Sequence, residues 1–279
     1  MSEAPVNVVC MKWGTKYGPE YVNILRAMVR RHLARSHRFV CLTDDTRGLR
    51  DDIEAMSLPE ELYRPENIGG LVSADAGDAA AAASSARPQR HAERGWMKVG
   101  MFRPLLGDLR GPTLFLDLDV VIVASIDALF DHPGAFCVSH DYTWRGKREA
   151  VGNTSVFRFE IGAYPDVFEY FLGHRSEIIR RFRNEQEYVS HRIGNITFWP
   201  EAWCPSFKRH CIPAWPLNFF LRPRIPPGAR VLVFHGRPDP PEALRGRSGK
   251  WYRYIRESAW IADHWRESSA EQEPGQPGH

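Results

Sequence analysis

The sequence predicts an α/β fold, a sheet with crossover helices, and three observations carry that prediction. Short β-branched runs alternate with amphipathic helical patterns through the first half of the chain. The opening segment already makes a strand, loop and helix unit. A chain of 279 residues that is 43% hydrophobic can bury a sizeable core, in one large α/β domain or two small ones.

The elements follow in order. "VNVVCM" is the first strand. After the polar loop "KWGTKYG", Pro19 opens a helix on which Val22, Leu25, Val29 and Leu33 share a face, with Arg26 and Arg30 turned elsewhere. "RFVCLTDD" is a second strand ending in acids, and "DIEAMSLP" a shorter third. Residues 63–93 include "DAGDAAAAASSARPQR", whose small and polar residues offer little to bury; a flexible loop or lid is expected there, with a helical alanine run as the competing reading. "RGWMKVGMFRPLLGDL" puts Trp96, Val99, Phe102 and Leu106 at helical spacing, and the apolar run "TLFLDLDVVIV" returns the chain to the sheet.

In the second half, "AFCVSHDY" and "GNTSVFRF" read as strands, "PDVFEYFLGHRSEIIRRF" as a helix with an apolar stripe of Phe168, Phe171, Leu172, Ile179 and Phe182, and "NITFWP" and "RVLVFHG" as later strands. "EAWCPSFKRHC" and "PAWPLNFF" set aromatics among prolines, suiting an acceptor-binding wall or packing between the sheet and the final helix, with packing the default. In "KWYRYIRESAWIADHWR", Trp251, Tyr254, Ile255, Ser258, Ile261 and Trp265 share a helical face. That face suits a core better than a membrane, because its polar side mixes acids with bases. A polar tail, 268–279, is expected to be disordered.

Composition excludes several classes. The formal charge of +3 is carried mainly by arginine and nearly balanced by acids, so no net field selects a nucleic-acid polymer. Five cysteines, an odd number without a C-x-x-C spacing, read as reduced thiols of a cytosolic protein. "MSEAPVNVVC" lacks the charged start and apolar core of a signal peptide, and no segment reaches the roughly 20 apolar residues that cross a bilayer. A cytoplasmic protein is expected, with peripheral membrane association left open.

The chemistry starts from Asp117 and Asp119, two acids inside an apolar run. An ionised carboxylate is not left in a sheet interior without a partner, so both must lie where the strand emerges. Ligands of open α/β sheets gather beyond the carboxyl ends of the strands, and two acids spaced i and i+2 there can turn toward one hard cation that holds a diphosphate. The competing reading is a strand-end turn whose acids are solvated or paired with arginines.

Other segments join this one in a resemblance. "FLDLDVVIVASIDALF" resembles the metal-binding Asp-x-Asp segment of the GT-A nucleotide-sugar glycosyltransferases, especially the retaining family 8 enzymes that include glycogenin and bacterial galactosyltransferases. "NEQEYVS" resembles that family's Asp-Gln-Asp segment, with both acids one methylene longer. "VFHGRPDP" resembles its late His-x-x-Gly-x-x-Lys-Pro region, compressed and without the lysine, and "GNTSVFRF" its Asn-x-Gly-Val strand without the glycine. The resemblance runs from about Val6 to Pro240 by order rather than close identity. It implies a single GT-A-like, Rossmann-like domain over 1–267, with a mixed central sheet flanked by helices.

It also implies roles. Asp117, Asp119 and His235 would hold Mn2+ or Mg2+, with a strand-end hydrogen-bonding group as the alternative for His235, the donor being a nucleotide diphosphate sugar, a UDP-sugar by preference. Lys98 and Arg237 are candidates to neutralise the departing diphosphate, against readings as a solvated helix face and an ion pair with Asp239. Trp13 and Tyr17 offer flat faces for the base, Tyr17 the better, and Asp45, beside Asp44 after the second strand, stands where the family places an acid near uracil; a turn cap is its alternative. Glu185 and Gln186 resemble the residues beneath the anomeric carbon, with a charged first helical turn as the bland alternative, and Asn153 is a further contact to the sugar. The acceptor, a glycan, lipid or protein, is not specified. A non-catalytic nucleotide-sugar or glycan-binding module remains an alternative, and behind it a haloacid-dehalogenase-type phosphatase, in which the first acid would attack phosphorus.

Overall fold

The computed structural model describes residues 5–63, 95–141, 151–248 and 254–267. Of the segment read as a lid, 63–93, Tyr63 ends the short helix Glu60–Tyr63, and the rest lies, like the polar tail 268–279, outside the described residues. Among the described residues, strands β1 (Val6–Lys12), β2 (His37–Thr43), β3 (Glu54–Ser57), β4 (Pro112–Leu116), β6 (Cys137–His140), β7 (Gly152–Glu160) and β8 (Thr197–Phe198) form a seven-stranded mixed sheet in the order β3-β2-β1-β4-β7-β6-β8. Strands β1 to β4 are mutually parallel, while β7 runs antiparallel between β4 and β6. A second sheet pairs β5 (Val120–Ile122) with β9 (Val231–Val233), antiparallel.

Side chains that alternate along a strand build a core on each face of the sheet. Val8 and Cys10 of β1 pack toward α1 (Pro19–His32), with its buried Val22, Leu25, Met28 and Val29, and toward the β5–β9 pair. Val9 faces the other way, among Leu42, Phe115 and Phe157 and the aromatics of the helical segments that follow. Phe157 is fully buried, its ring 5.0 Å from Phe115, 5.8 Å from Phe102 and 5.7 Å from Phe136.

Several expected elements take another form. Trp96–Phe102 is a 3-10 helix, and the spacing of three between Trp96, Val99 and Phe102 suits that helix of three residues per turn, which presents i and i+3 on one line. In the helix Pro165–Arg181 the buried face is Val167, Phe168, Phe171 and Ile178; Leu172 is exposed, and non-helical torsions at His174 kink the axis. The long C-terminal helix is absent from the described residues: only Ile261–His264 is helical. Ile255, Ser258 and Ile261 are buried as expected, but the Ser258 N–H bonds to the Ala243 carbonyl at 3.1 Å, so this backbone is tied to the helix Pro240–Leu244 rather than continuing a helix of its own. The proline-aromatic segment splits: Phe207 and Cys211 pack in the core, whereas Trp215, Leu217, Phe219 and Phe220 are exposed, so packing accounts for the first half alone. All five cysteines are buried and free.

Topology selects one crevice. From β1 the order runs outward through β2 to β3 on one side and starts with β4 on the other, so the carboxyl ends of β1 and β4 diverge at a switch point. The Phe157 cluster supports β4 and β7 directly behind it. Phe157→Ala is expected to destabilise the fold by about 3–5 kcal/mol, read from urea unfolding; a loss under about 1 kcal/mol would show that the cluster collapses around the gap.

Candidate functional site

The two acids sit at a break. Strand β4 ends at Leu116, the chain turns at Leu118 and Asp119, and β5 begins at Val120 in the other sheet. The Asp117 N–H still bonds to the Ser155 carbonyl at 2.9 Å, extending the pairing with β7 by one residue. Leu118 is buried between them, which anchors the turn.

Each carboxylate has a donor. Asp117 Oδ2 accepts from Lys98 Nζ at 2.8 Å, and Asp119 Oδ2 accepts from the Tyr17 hydroxyl at 2.7 Å. Lys98 also donates to the Thr154 carbonyl at 3.3 Å and lies 3.9 Å from Glu185 Oε1, so one ammonium ties the metal-ligand candidates to the sugar-binding ones. Burial opposes its charge, but Asp117 and Glu185 outweigh burial and raise its pKa. For Asp119, burial and then the charge of Asp117 push the carboxyl up to about 6, against the opposing effect of the Tyr17 hydrogen bond. The Tyr17 phenol is pushed up in turn, by burial and by Asp119.

His235 comes from far along the chain, delivered by the second sheet. Val120 pairs with Val233, and His235 follows two residues beyond the end of that ladder. Its Nδ1 lies 3.4 Å from Asn153 Nδ2. Burial, then the charge of Lys208, lowers its pKa to about 4, so the ring is neutral near pH 7 and keeps a lone pair for a ligand. Lys208 donates to the His235 carbonyl from a turn, Phe207–Cys211, that the sequence reading had not linked to the site.

The remaining candidates divide into two groups. Gln186 Oε1 accepts from the Thr154 N–H and Glu185 Oε1 from the Thr154 hydroxyl, each at 3.0 Å, so both are held against β7 at the start of the helix Glu185–Ile193, whose N-cap is Asn184. Glu185 is buried against Gly95, where an added Cβ would lie 2.5 Å from Glu185 Oε2; that glycine admits the carboxylate. Asn153 is buried, its Oδ1 capping the Ser155 N–H at 2.9 Å. Trp13, Tyr17, Lys98, Asp117 and Asp119 line one cleft of about 230 Å³ at the switch point. Asp45 and Arg237 stand apart. The Asp45 carboxylate holds Arg47 at 2.9 Å, which is the turn-cap arrangement, and exposed Arg237 faces Glu242 at 3.4 Å rather than Asp239, which caps its own helix.

Sequence reading missed three contributors, Lys16, Thr154 and Lys208, and had named Asp44 only beside Asp45. Lys16 lies over the Tyr17 ring, 4.3 Å from its centroid, and lines the cleft. Asp44 caps the Gly14 N–H at 3.0 Å, fixing the loop that bears Trp13 and Tyr17. Thr154 and Lys208 gave no chemical signature in the sequence; their roles arise from strand pairing and from a contact across the chain.

Among the described residues no group of three His, Cys, Asp or Glu side chains is placed to hold a metal ion, and Lys98 and Tyr17 hold the two acids. The donor types nonetheless suit a hard divalent cation: two neighbouring carboxylates, one raised in pKa by burial and by the other's charge, and a neutral imidazole past the end of β9.

No protein-family model matches the chain, and no curated protein matches it either. Solved structures do. A galactosyltransferase, LgtC, in complex with donor and acceptor sugar analogues superposes with a TM-score of 0.56 at 12% identity, over 88% of this chain and 92% of that one. The fold is of the GT-A type. GlyE, a glycosyltransferase of Streptococcus pneumoniae, aligns with a TM-score of 0.50 at 10% identity over 91% of this chain, which spans 58% of GlyE. The bifunctional glycosyltransferase WbbM aligns with a TM-score of 0.50 at 13% identity over 85% of this chain and 46% of its own. In this GT-A fold the cleft with the two acids lies at the switch point of the sheet.

The Asp119 carboxyl makes a test of stability against pH. Its folded pKa stands above that of an unfolded carboxyl, so protonation favours the fold; the gain is complete below about 3.9 and lost as pH rises through about 6. In chelator-treated protein, Asp119→Asn is expected to raise unfolding free energy at about pH 8 by of order 1–2 kcal/mol, and to change it little near pH 4. Urea titrations at the two pH values read this, and equal effects at both would mean that charge does not strain the carboxyl.

Proposed function

We propose that this chain is a glycosyltransferase that moves a sugar from a nucleotide diphosphate sugar, preferably a UDP-sugar, to an acceptor hydroxyl with retention of configuration, using manganese or magnesium. What supports the proposal is the pair Asp117 and Asp119 lining one cleft with Trp13, Tyr17 and Lys98 at the switch point of a GT-A fold. In this proposal Asp117, Asp119 and His235 hold the cation, which supplies Lewis-acid neutralisation of the diphosphate when bound.

The chain's own residues do the rest. Lys98 holds Asp117 and Glu185 in place and adds positive charge behind the pair, acting as a positioning residue. Tyr17 orients Asp119 through its hydroxyl, while Trp13 and the Tyr17 ring give the base a flat wall. Glu185, Gln186 and Asn153 supply hydrogen-bonding groups for the sugar. Retention rests on the family 8 resemblance: with Gln186 a weak nucleophile, the acceptor oxygen bonds to the anomeric carbon on the face from which the diphosphate leaves, and the hydroxyl proton passes to the departing phosphate oxygen. Asp45 and Arg237 belong to the outer edge of the donor site in this proposal, free to engage a ligand only by releasing Arg47 and Glu242.

With Mn2+ and a panel of nucleotide sugars, slow release of nucleoside diphosphate is expected. Asp119→Ala should abolish manganese-dependent donor binding without a lower Tm, and Asp117→Asn should cut turnover by about 10²–10³. Undiminished donor binding by Asp119→Ala overturns the assignment. Tight binding without turnover would identify the non-catalytic module instead, and inorganic phosphate released from simple phosphoesters the phosphatase.

A further inference from the structure

A cluster of large apolar side chains stands out on the surface where the proline-aromatic segment was expected to pack. Trp215 is 80% exposed and Phe220 72%, with Leu217, Phe219 and Leu221 also open to solvent, all within seven residues of chain. A patch of this kind on a water-soluble surface marks a binding face.

The segment is built rather than loose. The Arg224 N–H bonds to the Cys211 carbonyl at 3.0 Å and closes its base. Inside, the Leu217 carbonyl accepts from the N–H groups of Phe220 at 3.0 Å and Leu221 at 2.8 Å. One flank is braced by Asn218 Nδ2 donating to the Tyr254 carbonyl at 2.9 Å, by Phe219 stacked on Tyr254 at 5.2 Å, and by Arg256 donating to the Phe220 carbonyl at 3.2 Å. Aromatic rings are therefore held outward by main-chain bonds that cost the fold nothing to keep when the rings are buried elsewhere.

Charge identifies the occupant. From Ala202 to Pro238 the sequence contains no aspartate or glutamate, yet carries Lys208, Arg209, Arg222, Arg224, Arg230 and Arg237. Glu257 answers Arg222 at 2.6 Å, an exposed pair that leaves the segment's own charge single-signed. Trp and Phe side chains favour the boundary of a bilayer, and clustered basic residues favour anionic headgroups. The core of a protein interface, by contrast, is depleted in charge. We propose that residues 213–224 form a docking surface for an anionic membrane, with Trp215, Leu217 and Phe220 entering the headgroup boundary and Arg222 and Arg224 facing the lipid phosphates. The turn that carries Lys208 to the His235 carbonyl leads directly into this segment, so docking would hold the cleft close to the bilayer. The proposal does not depend on sugar transfer.

Sedimentation of the full-length protein with vesicles tests it. The chain is expected to pellet with phosphatidylcholine vesicles containing phosphatidylglycerol, to stay largely in solution with phosphatidylcholine alone, and to be released by added salt. Trp215→Ser with Phe220→Ser is expected to lower the bound fraction about tenfold, and Arg224→Glu to weaken binding to the anionic vesicles selectively, with Tm unchanged because these side chains leave the core intact. Equal binding to both vesicle types, no binding to either, or full binding by the double variant overturns the proposal. So does a dimer in analytical ultracentrifugation that the double variant dissolves, since a second copy would then be the occupant.

Discussion

Two carboxylates brought together at the edge of a hydrophobic core need donors for their charge, and this structure is arranged around meeting that need. The Lys98 ammonium does most of it. Bound to Asp117 at 2.8 Å and near Glu185, it joins the strand end, the 3-10 helix Trp96–Phe102 and the helix Glu185–Ile193 at one point. Removing such a partner from a largely buried pair leaves an uncompensated charge, which costs far more than an exposed ion pair contributes. Asp119 is the less satisfied of the two. One hydroxyl supports it, and its raised pKa records the remaining strain.

This arrangement follows from where the backbone changes sheets. Had β4 run straight into β5, Asp117 and Asp119 would face the same side of one strand, buried and close. The turn at Leu118 and Asp119 separates the two strands into different sheets and opens both acids to the crevice. Position at the carboxyl ends of β1 and β4 then gives the cleft an aromatic wall from the loop after β1, with Trp13 and Tyr17, and a further side from Gly95 and Lys98.

Much of this was legible in the sequence, for physical reasons that differ by element. Strand runs and the first helix could be read because burial imposes a period, and Val22, Leu25 and Val29 are buried as that period requires. The acid pair could be read because charge inside an apolar run has few explanations. The C-terminal helix could not, because the same spacing of Ile255, Ser258 and Ile261 is met by a chain whose Ser258 N–H bonds to the Ala243 carbonyl of the helix Pro240–Leu244. Phe219 and Phe220 misled in the opposite direction: apolar residues predict burial only when nothing else demands exposure. Thr154 and Lys208 enter the site through backbone geometry that no local pattern encodes.

The short ladder between β5 and β9 has an evolutionary meaning. Main-chain bonds, which any residue but proline can make, bring the segment bearing His235 toward the acids. Val120, Ile122, Val231 and Val233 are thus interchangeable with other apolar residues of similar bulk, and the spacing of the polar groups survives the exchange. Under that freedom most letters can differ while the architecture is kept, and this chain, 12% identical to a solved transferase, overlays it across most of its length.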